Sequence, residues 1–401
     1  MTTDARTLRT ILVCGGLILT LSVGLRVGFG FFLRPMTMEF GWPRETFSFA
    51  IALHNLFLGA SQPFLGALAD RYGAPRVVVV SALLYAIGLA AMSVSSTGWM
   101  LSLSAGLIVG LAAAGTGFAI VIGVIGRAFP PEQRSNAIGI CAALGSFGQF
   151  FMAPVEQALI STFGWSGALL VLAAISLIMI PMAGGLRDDR HAVAHLTGQT
   201  VRQALAQASA TPSFWLLMGG YFVCGFHVTF VATHLPAYLR DQGLAVGVGV
   251  AAIALIGLFN IFGSYASGRL GAVYTKKYLL AGVYFSRSVV IALFALLPLS
   301  PYSAYAFGIA FGLLYLSTVP LTNGLIADIF GVRYLAMLSG LVFFSHQIGS
   351  FFGAWLGGRL FDLSGSYGVV WSMAIALGVI AALFNLPIRE KSLERQATAT
   401  L

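Results

Sequence analysis

The chain has 401 residues, of which 58% are hydrophobic and only 9% are charged, and its mean hydropathy is +0.90. Soluble globular domains carry about a quarter charged residues, so this composition excludes a soluble domain and indicates a polytopic membrane protein. The formal net charge of +9 is interpreted as the topological charge of a membrane protein, and no nucleic-acid partner is expected.

Apolar runs of about 20 residues recur along the chain, the length that a helix needs to cross the hydrocarbon core of a bilayer. We predict twelve spans and therefore an all-α membrane protein. In chain order, the predicted spans 1 to 12 lie near residues 11–33, 44–69, 76–97, 99–127, 135–160, 165–186, 212–239, 245–270, 277–299, 301–327, 334–360 and 367–387. Most lysines and arginines fall on the side of both termini, which predicts cytoplasmic termini.

The longest polar stretch, residues 187–211, is interpreted as a cytoplasmic linker. It contains His191 and His195, which we expect to be solvated, and a short amphipathic helix is predicted at Val201–Ala208. The linker separates a six-span bundle at residues 1–186 from a second six-span bundle with a short tail at residues 212–401. A charged hairpin follows an apolar run at a matching position in each half, which favours two related bundles.

The first of these hairpins carries a recognisable motif between spans 2 and 3. Asp70, Arg71 and Arg76 must emerge into water because charge is costly in hydrocarbon. Gly73 supplies a turn, and Gly66 is expected to let a neighbouring helix approach closely. These five residues closely resemble the signature loop between helices 2 and 3 of the major facilitator superfamily. The resemblance implies two pseudo-symmetric six-helix bundles around a central cavity, with transport by alternating access.

Three further segments narrow the resemblance. Residues 28–42, 233–239 and 346–362 are similar to the bacterial branch of the monocarboxylate and oxalate transporter families. This implies a monomer in the bacterial inner membrane that moves a small organic anion with a proton.

The sequence departs from the pattern of those families at two places. Monocarboxylate carriers usually place an arginine on helix 8 one turn after an Asp or Asn, whereas Asn260 is followed here by Ser264. The second cation of oxalate carriers, a lysine on helix 11, is replaced by His346 and Gln347. A dicarboxylate site with two permanent cations is therefore not expected.

Polar side chains inside spans are costly and are the default functional candidates. Arg26 is the first candidate, because a guanidinium group is permanently charged and can bind a carboxylate through two hydrogen bonds. Its alternative is structural, paired with a helix carbonyl or with Glu156. The other predicted substrate contacts are Asn55, His227, Asn260, Tyr315, His346 and Gln347. The residues assigned to proton coupling or gating are His54, Asp70, Arg71, Glu156 and Arg287.

Several of these assignments have a structural alternative. His227 or His346 could titrate with a coupled proton, but each could equally be an interhelical hydrogen bonder. Glu156 could carry a proton or neutralise a neighbouring arginine. Arg287 lies on a span that the family places at the periphery, where a polar tie to another helix is the alternative.

The sequence contains no P-loop, metal-ligand spacing or nucleophile elbow. We therefore expect neither an enzyme nor an ATP-driven pump, and no metal or cofactor. The prediction is a secondary transporter of a small organic anion, a monocarboxylate, coupled to protons. The alternatives are an exporter of amphipathic or toxic compounds, in which Arg26 would be structural, and a membrane sensor that transports nothing.

Overall fold

The computed structural model describes residues 5–186, 201–331 and 335–390, and within these ranges every regular element is a helix. Nine helical stretches are long and apolar enough to cross a membrane. One of them, Asn136–Ala183, contains two spans because the chain turns at Gly164, which has φ 69°. Two more helices, Arg44–Tyr72 and Leu335–Ser364, have spanning length and carry more polar residues. The total is twelve spans, as predicted.

The observed bounds define the spans used below. They are span 1, Ala5–Val27 and Phe29–Phe40; span 2, Arg44–Tyr72; span 3, Ala74–Ser93; span 4, Gly98–Leu101, Ser102–Ile108, Val109–Gly115 and Phe118–Ala128; spans 5 and 6, Pro131–Ser176 divided at Gly164, with span 6 continuing in Met179–Ala183; span 7, Pro212–Asp241; span 8, Val246–Val273; span 9, Lys276–Leu296; span 10, Pro301–Leu314 and Thr318–Phe330; span 11, Leu335–Ser364; and span 12, Gly368–Asn385.

Three spans that were predicted as continuous helices are interrupted. Span 1 breaks at Gly28, and span 10 breaks between Leu314 and Thr318. Span 4 contains a π-helical segment, Ser102–Ile108, and stops again before Phe118. Breaks within a span release backbone amides and carbonyls that must find partners, and transporters often place binding sites at such points.

The hairpin between spans 2 and 3 is tighter than the sequence suggested. Gly73, with φ 96°, is the single residue between the two helices, which confirms its role in the turn. The expectation for Gly66 was wrong, since the space beside its Cα is open. Close helix contacts use other glycines, described below.

The linker is described only in part. A helix at Val201–Ser209 confirms the predicted amphipathic segment, with Ala204 and Ala208 buried and Leu205 exposed. Residues 187–200, which include His191 and His195, lie outside the described residues. The exact division into residues 1–186, 187–211 and 212–401 therefore stays a prediction.

Buried apolar side chains form one large cluster mainly in the first six spans and two mainly in the last six, and Ala237, Ala354, Phe31 and Ala153 join clusters of the opposite half. The two halves meet where span 2 packs on span 11, span 5 on span 8, and span 1 on span 7. Each contact includes a glycine with no room for a side chain: Gly59 lies against Gln347, Gly257 against Gln149, and Gly30 against the Ala232 carbonyl. This interface positions the candidate site.

Candidate functional site

The two halves are tied together at the end of the molecule that carries Arg44. We call Arg44, Glu45, Asp241, Arg359 and Asp362 the Arg44 latch. Asp241 pairs with Arg44 at 2.6 Å, and Glu45 pairs with Arg359 at 2.9 Å. Asp362 accepts hydrogen bonds from the backbone N–H groups of Arg44, at 3.0 Å, and of Glu45, at 2.7 Å. Each of these contacts joins the first half to the second, so this end is closed.

Aromatic side chains reinforce the latch. The Arg44 guanidinium lies 3.7 Å from the centroid of the Phe361 ring and donates to the Tyr367 hydroxyl at 2.8 Å. Because arginine only donates, the hydroxyl proton is free for Nδ1 of His234, 3.0 Å away. Nε2 of His234 then donates to the Ala354 carbonyl at 2.8 Å. His234 is thereby fixed as a neutral structural residue.

Two ion pairs among the described residues at the opposite end, which carries Asp70, each stay within one half. Asp70 pairs with Arg127 of span 4 at 2.9 Å, and Lys276 pairs with Asp328 at 2.7 Å. Arg71 is exposed and lies over the Tyr72 ring at 5.3 Å. Asp70 and Arg71, assigned by sequence to gating, therefore sit at the end of the molecule where these charges do not tie the halves together.

Arg26 lies two residues before the break in span 1 and is half-buried. Across the described ranges its guanidinium has neither a hydrogen bond nor an ion pair. Its charge acts on His54 of span 2, Tyr85 of span 3 and Tyr315 of span 10, so it faces both halves. The structural alternative, a pairing with a helix carbonyl or with Glu156, is not present. A buried cation without a partner is a ready site for an anion.

Side chains of the second half satisfy the backbone at the break in span 10. Arg287 is fully buried on span 9 and donates to the carbonyls of Leu314 and, at 2.9 Å, Tyr315. Asn260 on span 8 accepts from the Leu316 N–H at 3.0 Å. The geometry of Arg287 fits the polar tie that was its alternative assignment.

Asn260 also links the halves. Its amide nitrogen donates to the Ser146 hydroxyl of span 5 at 3.0 Å, and its oxygen accepts from Ser264 at 3.2 Å. Ser264 occupies the position where the family resemblance implies an arginine, and here it supports Asn260. Tyr315 is buried beside this network, and its hydroxyl interacts with Gln149 of span 5. Asn260 and Tyr315 thus bring the break in span 10 to the interface that Arg26 faces.

The three predicted histidines occupy different surroundings. Nδ1 of His54 donates to the Ala105 carbonyl at 3.2 Å, and Nε2 of His227 donates to the Ala374 carbonyl of span 12 at 2.7 Å. His346 stacks on Phe343, and its Nδ1 lies 3.1 Å from the Gln347 amide oxygen. His227 therefore faces span 12 and lies away from the interface between the halves.

Two of the three predicted amides, Asn55 and Gln347, are buried beside this interface. Asn55 donates to the carbonyl of Ile51 within its own helix at 2.9 Å. Gln347 fills the space beside Gly59, and its amide nitrogen has no hydrogen-bond partner within the described chain. Within the described residues, Gln347 thus keeps its whole amide nitrogen without a partner at the contact between the halves.

Glu156 is fully buried on span 5, and neither carboxyl oxygen has a hydrogen-bond partner in the part of the chain described. The carboxyl group occupies the space left by Gly28, where a Cβ atom would overlap it. Within the described residues Glu156 forms no ion pair with Arg26, which lies two residues before Gly28 on span 1. The alternative in which Glu156 neutralises an arginine has no contact to support it.

The Arg44 latch was not identified from the sequence, where its residues were only basic or acidic loop charges. Arg44 and Asp362 are 318 residues apart, and no local pattern pairs them. The one available signal was Pro43 before span 2, which leaves that helix without a side-chain cap of its own.

Comparison with known proteins identifies the family. A family model of the Major Facilitator Superfamily matches residues 12–321. The uncharacterized MFS-type transporter YcxA of Bacillus subtilis is 24% identical over 388 residues, which cover 91% of each chain. Monocarboxylate transporter 11 of Mus musculus is 29% identical over 371 residues, covering 86% of this chain and 79% of the relative.

A solved structure agrees in fold. A bacterial homologue of the human lysosomal transporter Spinster, in an inward-facing and unoccupied conformation, superposes with a TM-score of 0.73 at 16% identity and covers 96% of each chain. That likeness concerns the fold alone. The extent of the family match, together with the twelve spans, shows that this chain is a multi-pass membrane transporter of the Major Facilitator Superfamily.

Proposed function

We propose that this transporter moves a small organic anion, a monocarboxylate, by alternating access and together with a proton. The observation that carries the proposal is the guanidinium of Arg26, which is half-buried near the break in span 1 and has no partner among the described residues. A carboxylate bound there would satisfy the guanidinium through two parallel hydrogen bonds. Monocarboxylate transporters among the relatives support the same substrate class.

The charge of the described spans favours one carboxylate over two. Arg26 and Arg287 are the basic residues in the interior of the spans, and Arg287 is fully buried against the carbonyls of span 10. Only Arg26 is partly accessible. A dicarboxylate would bring a second charge into a site with no second accessible cation, and an unpaired charge is costly to bury.

The latch and the basic residues suggest which side is open. Since the Arg44 latch closes one end, we propose that substrate reaches Arg26 from the Asp70 end. The distribution of lysine and arginine supports a cytoplasmic location for that end. The conformation would then be inward-facing, and release of the latch would open the path to the other side.

The test is thermal stabilisation of the purified protein by lactate, pyruvate, acetate and oxalate, and by lipophilic cations and neutral drugs. A compound that binds only the folded state at 100 times its Kd stabilises it by about 2.7 kcal/mol. We expect small monocarboxylates to raise the Tm of the wild type and of R240Q, which changes an exposed arginine. R26Q should lose the effect.

Two results would overturn the proposal. If R26Q were stabilised by monocarboxylates as strongly as the wild type, Arg26 would not be the anion site. If only lipophilic cations or neutral drugs raised the Tm, and did so in R26Q as well, the exporter hypothesis would replace it.

A further inference from the structure

Spans 1 and 5 pack along a line of contacts that repeats every fourth residue. Gly16 lies against Leu144, Thr20 against Gly148, Gly24 against Met152, and Gly28 against Glu156. The Thr20 hydroxyl also donates to the Leu144 carbonyl at 2.9 Å. We call this line the span 1–span 5 seam. Small residues on one helix let the two backbones approach closely, as in other membrane helix pairs.

Glu156 is the one ionisable residue of the seam, and it stands at its end. Its carboxyl group is fully buried in the space beside Gly28, at the break in span 1. Tyr85 on span 3 is the titratable group of the described residues that senses its charge, and Arg26 lies two residues before Gly28 on span 1. Neither makes a hydrogen bond or ion pair with it in the described structure.

A carboxylate held without donors in such an environment is strongly disfavoured, and binding a proton removes most of that penalty. The packing therefore favours the neutral, protonated carboxyl group while the seam is closed. If water reached Gly28 as the seam loosened, the charged form would be solvated and the proton could leave. In this geometry, the access of water to the Glu156 carboxyl group controls whether it binds or releases its proton.

We propose that Glu156 is the proton-binding site of this transporter, with Gly28 and the break in span 1 forming its cover. The inference rests on the proposed anion transport and deepens it. A proton taken from water converts the carboxylate to the neutral acid, and the same proton is released to water on the other side. Because Arg26 and Gly28 are two residues apart on span 1, the anion site at Arg26 and the proton site at Glu156 both lie at the break in this span.

The test uses proteoliposomes with wild type, E156Q, E156D and E39Q. Glu39 is a carboxylate outside the seam that accepts a hydrogen bond from Trp165, so E39Q is the matched control. Pyruvate counterflow measures exchange without net proton movement. Pyruvate accumulation under an imposed pH gradient measures coupling, and one pH unit supports about tenfold accumulation if one proton accompanies each anion.

We expect E156Q to keep counterflow and to lose the accumulation driven by the pH gradient. E156D, which keeps a carboxyl group, and E39Q should keep both. Full accumulation by E156Q would overturn the inference and leave the anion function intact. Loss of both counterflow and pyruvate-dependent thermal stabilisation in E156Q would also overturn it, because Glu156 would then belong to the anion site or to the folded core.

A second measurement does not depend on the substrate. Infrared difference spectra between acidic and alkaline buffer should show the C=O stretch of a protonated carboxyl group in the wild type, and E156Q should lack that band. Identical spectra would overturn the inference. If wild-type liposomes failed to transport pyruvate and every other monocarboxylate, the proposed function would fail while this measurement still decided the role of Glu156.

Discussion

Removing the Asp362 side chain should open the Arg44 end of the transporter. Asp362 lies on span 11, yet it accepts hydrogen bonds from the first two N–H groups of span 2. Span 2 has no side-chain cap from its own residues, since its N-cap position is Pro43. D362A therefore removes the only side-chain cap of this helix start in the described structure. Because Asp362 can reach span 2 only when the halves touch, the loss destabilises that closed state alone.

The size of the effect follows from the value of a helix cap. Loss of an N-cap costs about 1 kcal/mol, within a range of about 0.5–2 kcal/mol. Asp362 is exposed, so solvent screening keeps the estimate near the middle of this range. A change of about 1 kcal/mol in the closed state alone would shift the ratio of closed to open molecules by about fivefold.

Distances between spin labels can measure this shift. Met38 at the end of span 1 and Val246 at the start of span 8 are exposed on opposite halves, and they can be replaced by labelled cysteines once Cys14, Cys141 and Cys224 are changed to alanine. D362A should increase the population at long distance. D328A is the matched control, because it breaks the Lys276–Asp328 pair within one half. An unchanged distribution in D362A, or an equal change in D328A, would refute the reasoning.

Two further predictions concern the packing of the spans. G148A should lower the free energy of unfolding by about 1–3 kcal/mol, because its Cβ atom would collide with the Thr20 backbone. The control is G139A on the same span, which has open space beside its Cα and should leave the stability unchanged. Equal melting temperatures for the two variants would count against close packing along the seam. R287M should lower the free energy of unfolding by about 1–3 kcal/mol for each carbonyl left unpaired at the break in span 10. The control is R240M, and equal melting temperatures for the two variants would show that Arg287 does not stabilise this break.

The sequence predicted the fold because its main signal is local. An apolar run of about 20 residues has one stable arrangement in a bilayer, so the twelve spans could be located within a few residues. A turn at Gly73 could also be predicted, since charged residues surround it and glycine tolerates its positive φ, but its length of a single residue could not.

The breaks and the contacts of the site were harder to predict, because they depend on partners far along the chain. Span 10 breaks at Tyr315 without a proline or glycine at that point, and Arg287 and Asn260 hold the released groups from other spans. Likewise, the sequence offered a pairing of Arg26 with Glu156 as one alternative but could not show that both remain unpaired among the described residues. That fact is what makes each of them a candidate, and it comes only from three-dimensional packing.

The cap that span 11 provides to span 2 has a consequence for observing this protein at work. The amide hydrogens of Arg44 and Glu45 are protected only while Asp362 accepts from them. Their exchange with deuterated solvent therefore reports how often the two halves separate, because a hydrogen-bonded amide exchanges mainly when its bond opens. The deuterium exchange rate of the first turn of span 2, measured by mass spectrometry, would therefore report the opening of the Arg44 latch in a protein that carries no spin labels.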